Sequence, residues 1–141
     1  MVLENVCVVK FNSPNKNGRV YSPDCFNLDE PILKEKLACG MLLGELGFPE
    51  DREEVDISKV SHVIKNLYKR EDGLYADIET LNTPNGRVLE QIVSECNFLE
   101  QTVDNCNFRT RGSGNLSLRD DGYYDVTDYT FITIDYTSNP A

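Results

Sequence analysis

The sequence predicts an α+β fold in which β-strands dominate and two or three helices accompany them. Three observations lead to this prediction: an apolar strand near the start, two alternating segments joined by a glycine-containing turn, and a tail from Tyr123 to Thr137 with a period of two. The 141 residues suit one domain, spanning 1–141, because a chain of this length buries roughly two-thirds of the surface that it exposes when unfolded. No linker, internal repeat or low-complexity tract divides the sequence.

The first half of the chain predicts one strand and one helix. Val6–Phe11 is apolar and ends in a turn-rich stretch, so it forms a buried first strand. The helix begins behind an Asp29 cap and ends at Gly40. Its apolar residues recur at helical spacing and comprise Leu28, Ile32, Leu33 and Leu37.

The second half predicts a hairpin, a helix and a strand-rich tail. Val60–Tyr68 and Leu74–Leu81 flank a turn at residues 71–73 and pair as a hairpin. Thr83 caps a helix that runs from about 84 to about 96. The tail from Tyr123 to Thr137 contains one long strand or two short ones.

Charge and composition exclude several classes of function. Fourteen basic residues against 24 acidic ones give a net charge of -10, which repels phosphate backbones, so we expect no direct nucleic-acid binding. No apolar run is long enough to cross a bilayer, and no secretion signal is present. We therefore expect synthesis in a cytoplasm and no contact with membranes. Five cysteines without a C-x-x-C pair, beside one histidine, predict reduced thiols and neither metal nor cofactor.

Seven segments, in order, resemble the prohead proteases of tailed phages, a family that shares its fold with the herpesvirus assembly protease. The resemblance covers most of the chain and implies a compact, mainly antiparallel β-barrel with flanking helices, a prohead-protease or assemblin-like fold. The segments that carry it are Asn15–Tyr21, Leu43–Pro49, Val60–Ile64, Gly73–Ile78, Thr83–Arg87, Arg111–Gly114 and Asp128–Pro140.

The resemblance places unsuitable residues at both catalytic positions of this serine protease family. The general-base histidine of the family corresponds to Phe48, whose ring has no lone pair to accept a proton. The nucleophilic serine precedes the Arg-Gly-x-Gly segment and corresponds to Arg109 or to Thr110. A guanidinium cannot attack a carbonyl, whereas a threonine hydroxyl remains a nucleophile but lacks its base. The resemblance therefore implies that the chain is not an enzyme.

Three side chains are fallback candidates for catalysis: His62, Thr110 and Ser113. His62 is the one histidine and shares a strand face with Val60 and Ile64, which favours a hydrogen-bonded core residue, although a rewired Thr110–His62 pair is an alternative. Ser113 follows Gly112 in a glycine-rich stretch that we interpret as a tight turn, with anion binding by Arg109, Arg111 and the turn as the alternative.

These residues predict a non-catalytic structural or assembly component of a phage virion. Candidate roles are capsid decoration or cement, inner-head protein, and neck or tail protein, with capsid, scaffold, neck or tail proteins as partners and several copies in the assembly. The acidic loop 50–54 and the loop 12–26 are candidate contact elements. Two alternatives remain: an active serine or threonine protease of altered mechanism that cleaves scaffold and capsid proteins, and a regulator that binds the target sequence in the old cleft.

Overall fold

The computed structural model describes residues 1–49, 52–95 and 107–137. Seven strands and two α-helices form its regular structure. The strands are β1 (Val2–Lys10), β2 (Arg19–Val20), β3 (Leu43–Glu45), β4 (Val60–Lys69), β5 (Gly73–Thr80), β6 (Phe108–Leu118) and β7 (Tyr124–Tyr136). The helices are α1 (Pro31–Cys39) and α2 (Pro84–Glu95), and short 3-10 turns lie at Pro23–Cys25 and Ile57–Lys59. No described helix is long and apolar enough to span a membrane.

The strands form two sheets. The four-stranded sheet has the order β1-β5-β4-β3, with every neighbouring pair antiparallel. The three-stranded sheet has the order β2-β7-β6, in which β6 and β7 are antiparallel and the short β2 runs parallel to β7. The prediction of a β-dominated fold with two or three helices and mainly antiparallel strands is confirmed, with two α-helices among the described residues.

The predicted hairpin forms between β4 and β5. Ile64 lies opposite Ile78, and Leu67 opposite Ala76. A register shift between Ile64 and Asn66 brings both pairs to one face, although Ile64 and Leu67 are three residues apart. Ile64, Ala76 and Ile78 are fully buried. This hairpin is the centre of the core, and β1 continues the sheet on its β5 side.

Both helices begin close to the predicted positions, and α1 also ends where the sequence predicts. At α1 the capping side chain is Glu30 rather than Asp29, since its carboxylate accepts from the backbone N–H of Ile32 at 3.1 Å and of Leu33 at 2.8 Å. Gly40 ends this helix with a φ of 68°, the left-handed conformation that glycine adopts most easily. At α2, Thr83 Oγ1 accepts from the N–H of Gly86 at 3.0 Å, as expected for a cap. The predicted end near residue 96 lies outside the described residues.

The stretch around Gly112 is a strand and not the expected tight turn. It belongs to β6, which pairs with β7 from Phe108 opposite Tyr136 to Leu118 opposite Tyr124. A Cβ atom at Gly112 would overlap the carbonyl oxygen of Thr130 and the ring of Tyr129. The glycine therefore serves the close approach of β6 to β7.

The described strands do not close into the expected barrel. One isolated bridge, between Leu46 and Tyr136, joins the two sheets. Elsewhere along this junction, side chains take the place of a backbone ladder, because Thr133 Oγ1 donates to the carbonyl of Leu43 at 2.7 Å and Asp135 Oδ1 accepts from the N–H of Glu45 at 2.9 Å. The two sheets instead share one buried core that includes Phe26, Leu42, Leu89, Phe108 and Ile134.

Candidate functional site

A cleft opens where the loop after β1 faces β6. We call it the β6 cleft and define it by its described lining, which combines aromatic, cationic and small polar side chains. The lining residues are Val8, Val9, Lys10, Ser13, Pro14, Asn15, Asn17, Arg19, Tyr21, Phe48, Phe108, Arg109, Thr110, Gly112 and Tyr129. The structure thus brings together Phe48, Arg109 and Thr110, the positions at which the resemblance places the catalytic residues.

A side-chain cap positions the loop wall of the cleft. Asn15 Oδ1 accepts from the backbone N–H of Asn17 at 2.9 Å and of Arg19 at 3.0 Å. Gly18 completes the turn with a φ of 73°. This local geometry brings Arg19 and Tyr21, two residues apart on the chain, to the same cleft.

The cleft is cationic although the chain carries a net charge of -10. Lys10, Arg19 and Arg109 line it, and none of its described lining residues is acidic. None of the three cations forms a salt bridge with a carboxylate of the described residues, whereas Lys34, Lys59 and Lys65 do. Among the described residues, no carboxylate that lines the cleft offsets this positive charge.

Arg109 stacks on Phe48 across the cleft. The Cζ atom of Arg109 lies 4.0 Å from the centroid of the Phe48 ring, within the range of a cation–π interaction. The contact leaves the edge of the planar guanidinium free to bind an anion.

Aromatic side chains form the floor of the cleft. The rings of Tyr21 and Tyr129 meet edge to face with centroids 5.4 Å apart, and Phe26 packs against both. Burial raises the pKa of Tyr129, while the neighbouring hydroxyl of Thr110 offsets part of that rise. Tyr129 is therefore a protonated hydrogen-bonding group at neutral pH and not a base.

A buried charge cluster lies directly behind the cleft. Glu45 is 1% exposed and Asp135 fully buried, and Arg111 lies between their carboxylates. Arg111 Nη2 donates to Glu45 Oε2 at 3.0 Å, and its Nε lies 2.9 Å from Asp135 Oδ2 as an ion pair without hydrogen-bond alignment. Arg52 adds a two-pronged contact to Glu45 and donates to the carbonyl of Glu54 at 2.7 Å. The cluster thereby fastens the loop after Phe48 to β6.

The two buried carboxyl groups have opposite pKa shifts. Burial raises the pKa of Asp135 to about 6, against the opposing effect of the hydrogen bond from Glu45 N–H and the charge of Arg111. Burial also acts to raise the pKa of Glu45, but hydrogen bonds from Arg52, the Asp56 N–H and Arg111 outweigh it and lower the pKa. Glu45 is therefore the permanently charged member of the cluster at neutral pH.

His62 lies in the core, with both ring nitrogens engaged. Its Nε2 donates to the carbonyl of Ile134 at 2.7 Å, so its Nδ1 accepts from the Ser61 hydroxyl at 2.7 Å. Burial lowers the pKa of His62 to about 4. A Cβ atom at Gly44 would overlap this ring and the same carbonyl. The structure places His62 as a core residue, and its pairing with Thr110 stays a prediction.

Ser113 lies apart from the aromatic floor. It is exposed on β6 and borders a shallow groove together with Phe48, Arg52, Arg111 and Gly112. The alternative interpretation, an anion site of Arg109, Arg111 and the glycine stretch, does not form as one unit, because Arg111 is turned inward to Glu45 and Asp135.

Sequence reasoning missed the charge cluster and the cations of the opposite wall. Glu45 and Asp135 each stand within an apolar strand, which is the one local signal of a buried ion pair. Lys10 and Arg19 carry no pattern of their own, since the fold alone brings them opposite Arg109. No group of three or more metal-ligating side chains occurs in the described parts of the chain.

The chain has the fold of a phage capsid protease. The structure of the bacteriophage T4 capsid assembly protease, gp21, matches it with a TM-score of 0.73, over 99% of this chain and 92% of that chain, at 17% sequence identity. No family model and no curated protein sequence matches this chain. The resemblance predicted from sequence is thus confirmed for the fold.

The comparison corrects the expectation that the chain is not an enzyme. The solved structure that it resembles in fold is that of a protease, so the fold gives no support to the absence of an enzymatic activity. The residues that the resemblance implies at the two catalytic positions do not establish inactivity, because function depends on the whole site and not on single positions.

Proposed function

We propose that this protein acts in the assembly of a phage capsid by binding a carboxylate-bearing segment of a capsid or scaffold protein in the β6 cleft. The observation that carries the proposal is the set of three cations around an aromatic floor, Lys10, Arg19 and Arg109, which form no salt bridge with a described carboxylate. The fold shared with a capsid assembly protease supports the choice of partner.

The side chains that line the cleft indicate what kind of ligand it binds. Guanidinium groups bind carboxylates in a planar, two-pronged geometry, and the aromatic floor accepts the apolar atoms of an adjacent residue. The net charge of -10 disfavours non-specific binding of such a ligand to the remaining chain. A segment with an acidic side chain or a free carboxyl end satisfies these requirements.

A peptide array of tailed-phage capsid and scaffold sequences tests the proposal. We expect the protein to bind a subset of acidic peptides, and Arg109→Met to weaken their binding at least tenfold. Arg87→Met is the matched control, because Arg87 is exposed on α2 and is not among the residues that line the cleft. Equal binding of acidic and neutral peptides, or equal losses in both variants, would contradict the proposal.

Cleavage of the bound segment is a second candidate function. The hydroxyl of Thr110 lines the cleft of a protease fold, which is the observation that favours it. If cleavage occurs there, array peptides incubated with the protein acquire new termini by intact mass, and Thr110→Val abolishes these products while binding persists. Unchanged peptides after prolonged incubation with the unmodified protein would count against this candidate.

A further inference from the structure

The outer edge of β6 has no partner strand among the described residues. β6 is the last strand of its sheet, and its distal part, Gly112–Leu118, is exposed throughout. This stretch contains no charged residue and no proline, in a chain in which 27% of the residues are charged. Natural sheets protect such edges with charges, proline, bulges or short strands, because free N–H and C=O groups bind other strands.

The other sheet edges of the described chain show this protection. β1 carries Glu4 and Lys10 and contains two irregularities in its pairing with β5. β3 has three residues and β2 has two. β6 has pairing irregularities near Gly112 and Gly114, but Asn115–Leu118 pairs with β7 in unbroken register and leaves a regular free edge.

An apolar stripe accompanies this edge. Leu116 lies opposite Val126 and Leu118 opposite Tyr124, so the four side chains share one face of the ribbon. Leu116 is 48% exposed and Leu118 67%. A strand added at the edge would extend this face and cover both leucines.

We propose that β6 pairs antiparallel with β6 of a second copy of this chain, about a two-fold axis at Leu116. In this register Leu116 faces its own counterpart, and Asn115 faces Ser117 of the other copy. Apolar residues thus meet on one face and small polar residues on the other, as a two-fold interface requires.

Charge favours a second copy over an acidic foreign segment. Two molecules with a net charge of -10 each repel one another at most surfaces. The neutral stretch Gly112–Leu118 is a place where they can meet without opposing like charges. An acidic segment gains no Coulombic attraction from this edge and binds in the cationic cleft instead.

Sedimentation velocity of the full chain over a range of concentrations tests the pairing. We expect a reversible dimer that strengthens as salt is raised, since salt screens the repulsion between copies. Leu116→Lys places two lysines together at the axis and should weaken dimerisation at least tenfold while the far-UV spectrum is unchanged. Ile57→Lys is the matched control, because Ile57 is 71% exposed but lies outside β6.

A charge-pairing experiment tests whether two copies meet at Leu116. It distinguishes the loss of this specific contact from a general effect of the substitution on solubility. An equimolar mixture of Leu116→Lys and Leu116→Glu should form a heterodimer that neither variant forms alone. A protein that stays monomeric at all concentrations, a dimer that Leu116→Lys leaves intact, or a mixture that fails to associate would each overturn the proposal.

Discussion

His62 contributes to stability as a neutral residue. Its Nε2 hydrogen must point to the carbonyl of Ile134 and its Nδ1 lone pair to Ser61, an arrangement that only the neutral ring provides. The unfolded chain protonates this side chain near pH 6.5, whereas burial lowers the pKa in the folded protein to about 4. The contribution of His62 to the free energy of unfolding is therefore fully present above pH 6.5 and is lost as the pH falls towards 4.

Urea denaturation at several pH values measures this effect. Between pH 6.5 and 5, we expect the protonation of His62 to lower the free energy of unfolding by about 2 kcal/mol, at about 1.4 kcal/mol per pH unit. Asp135 has the opposite effect on stability. Its pKa is higher in the folded protein than in the unfolded chain, so its protonation stabilises the folded state as the pH falls. In His62→Gln the stability should rise slightly as the pH falls across this window. A His62→Gln protein that loses stability as the unmodified protein does would refute this account.

Glu45 holds the charge cluster together. Its carboxylate accepts from Arg52, from Arg111 and from the N–H of Asp56 at 3.1 Å. Breaking a buried ion pair by removing one partner costs about 3–5 kcal/mol, because the other charge stays buried. We expect Glu45→Gln to cost about that much in urea denaturation at pH 7. Glu79→Gln, which breaks a surface pair with Lys65, should cost less than about 1 kcal/mol; similar losses in both variants would contradict the assignment.

At the scale of elements, patterned strands could be predicted and β6 could not. Alternation and β-branched residues revealed β4, β5 and β7, and capping residues revealed both helices. The segment Gly112–Leu118 is rich in glycine, serine and asparagine, a composition typical of turns. Its extended structure depends on pairing with β7, so the composition of the segment itself does not predict it. The cluster of Glu45, Arg111 and Asp135 was missed for the same reason, since its members come from three separate strands.

Gly112 links the packing of β6 to the shape of the cleft. An added methyl group would overlap the Thr130 carbonyl and the ring of Tyr129, which lines the floor. We expect Gly112→Ala to cost about 1–3 kcal/mol by overpacking and to weaken peptide binding as Tyr129 shifts. Ser117→Ala, on an exposed position of the same strand, should change neither quantity. Thermal denaturation and peptide titration report the two effects, and a fully stable Gly112→Ala protein would disprove the packing argument.

At the scale of the whole molecule, the four-stranded sheet contributes the centre of the core, whereas the three-stranded sheet contributes the proposed binding cleft. The four-stranded sheet supplies the core around Ile64, Ala76 and Ile78. The junction with β7 holds the buried charges, and the face of β6 towards the loop after β1 forms the cationic cleft. The sequence-level prediction of one domain over 1–141 stays a prediction, as does the assembly of several copies. The choice of partner rests on the fold, whereas the choice of ligand rests on the charges of the cleft.

The most direct test of the cleft proposal is a double-mutant cycle by calorimetry. Four titrations pair the unmodified protein or Arg109→Met with an array-selected acidic peptide or its version in which glutamine replaces the key glutamate. If the carboxylate contacts Arg109, the two changes are non-additive, with a coupling of about 1–2 kcal/mol, roughly a five- to thirtyfold difference in affinity. Additive losses, or unaltered affinity on replacing the glutamate, would show that the cleft does not recognise a carboxylate through Arg109.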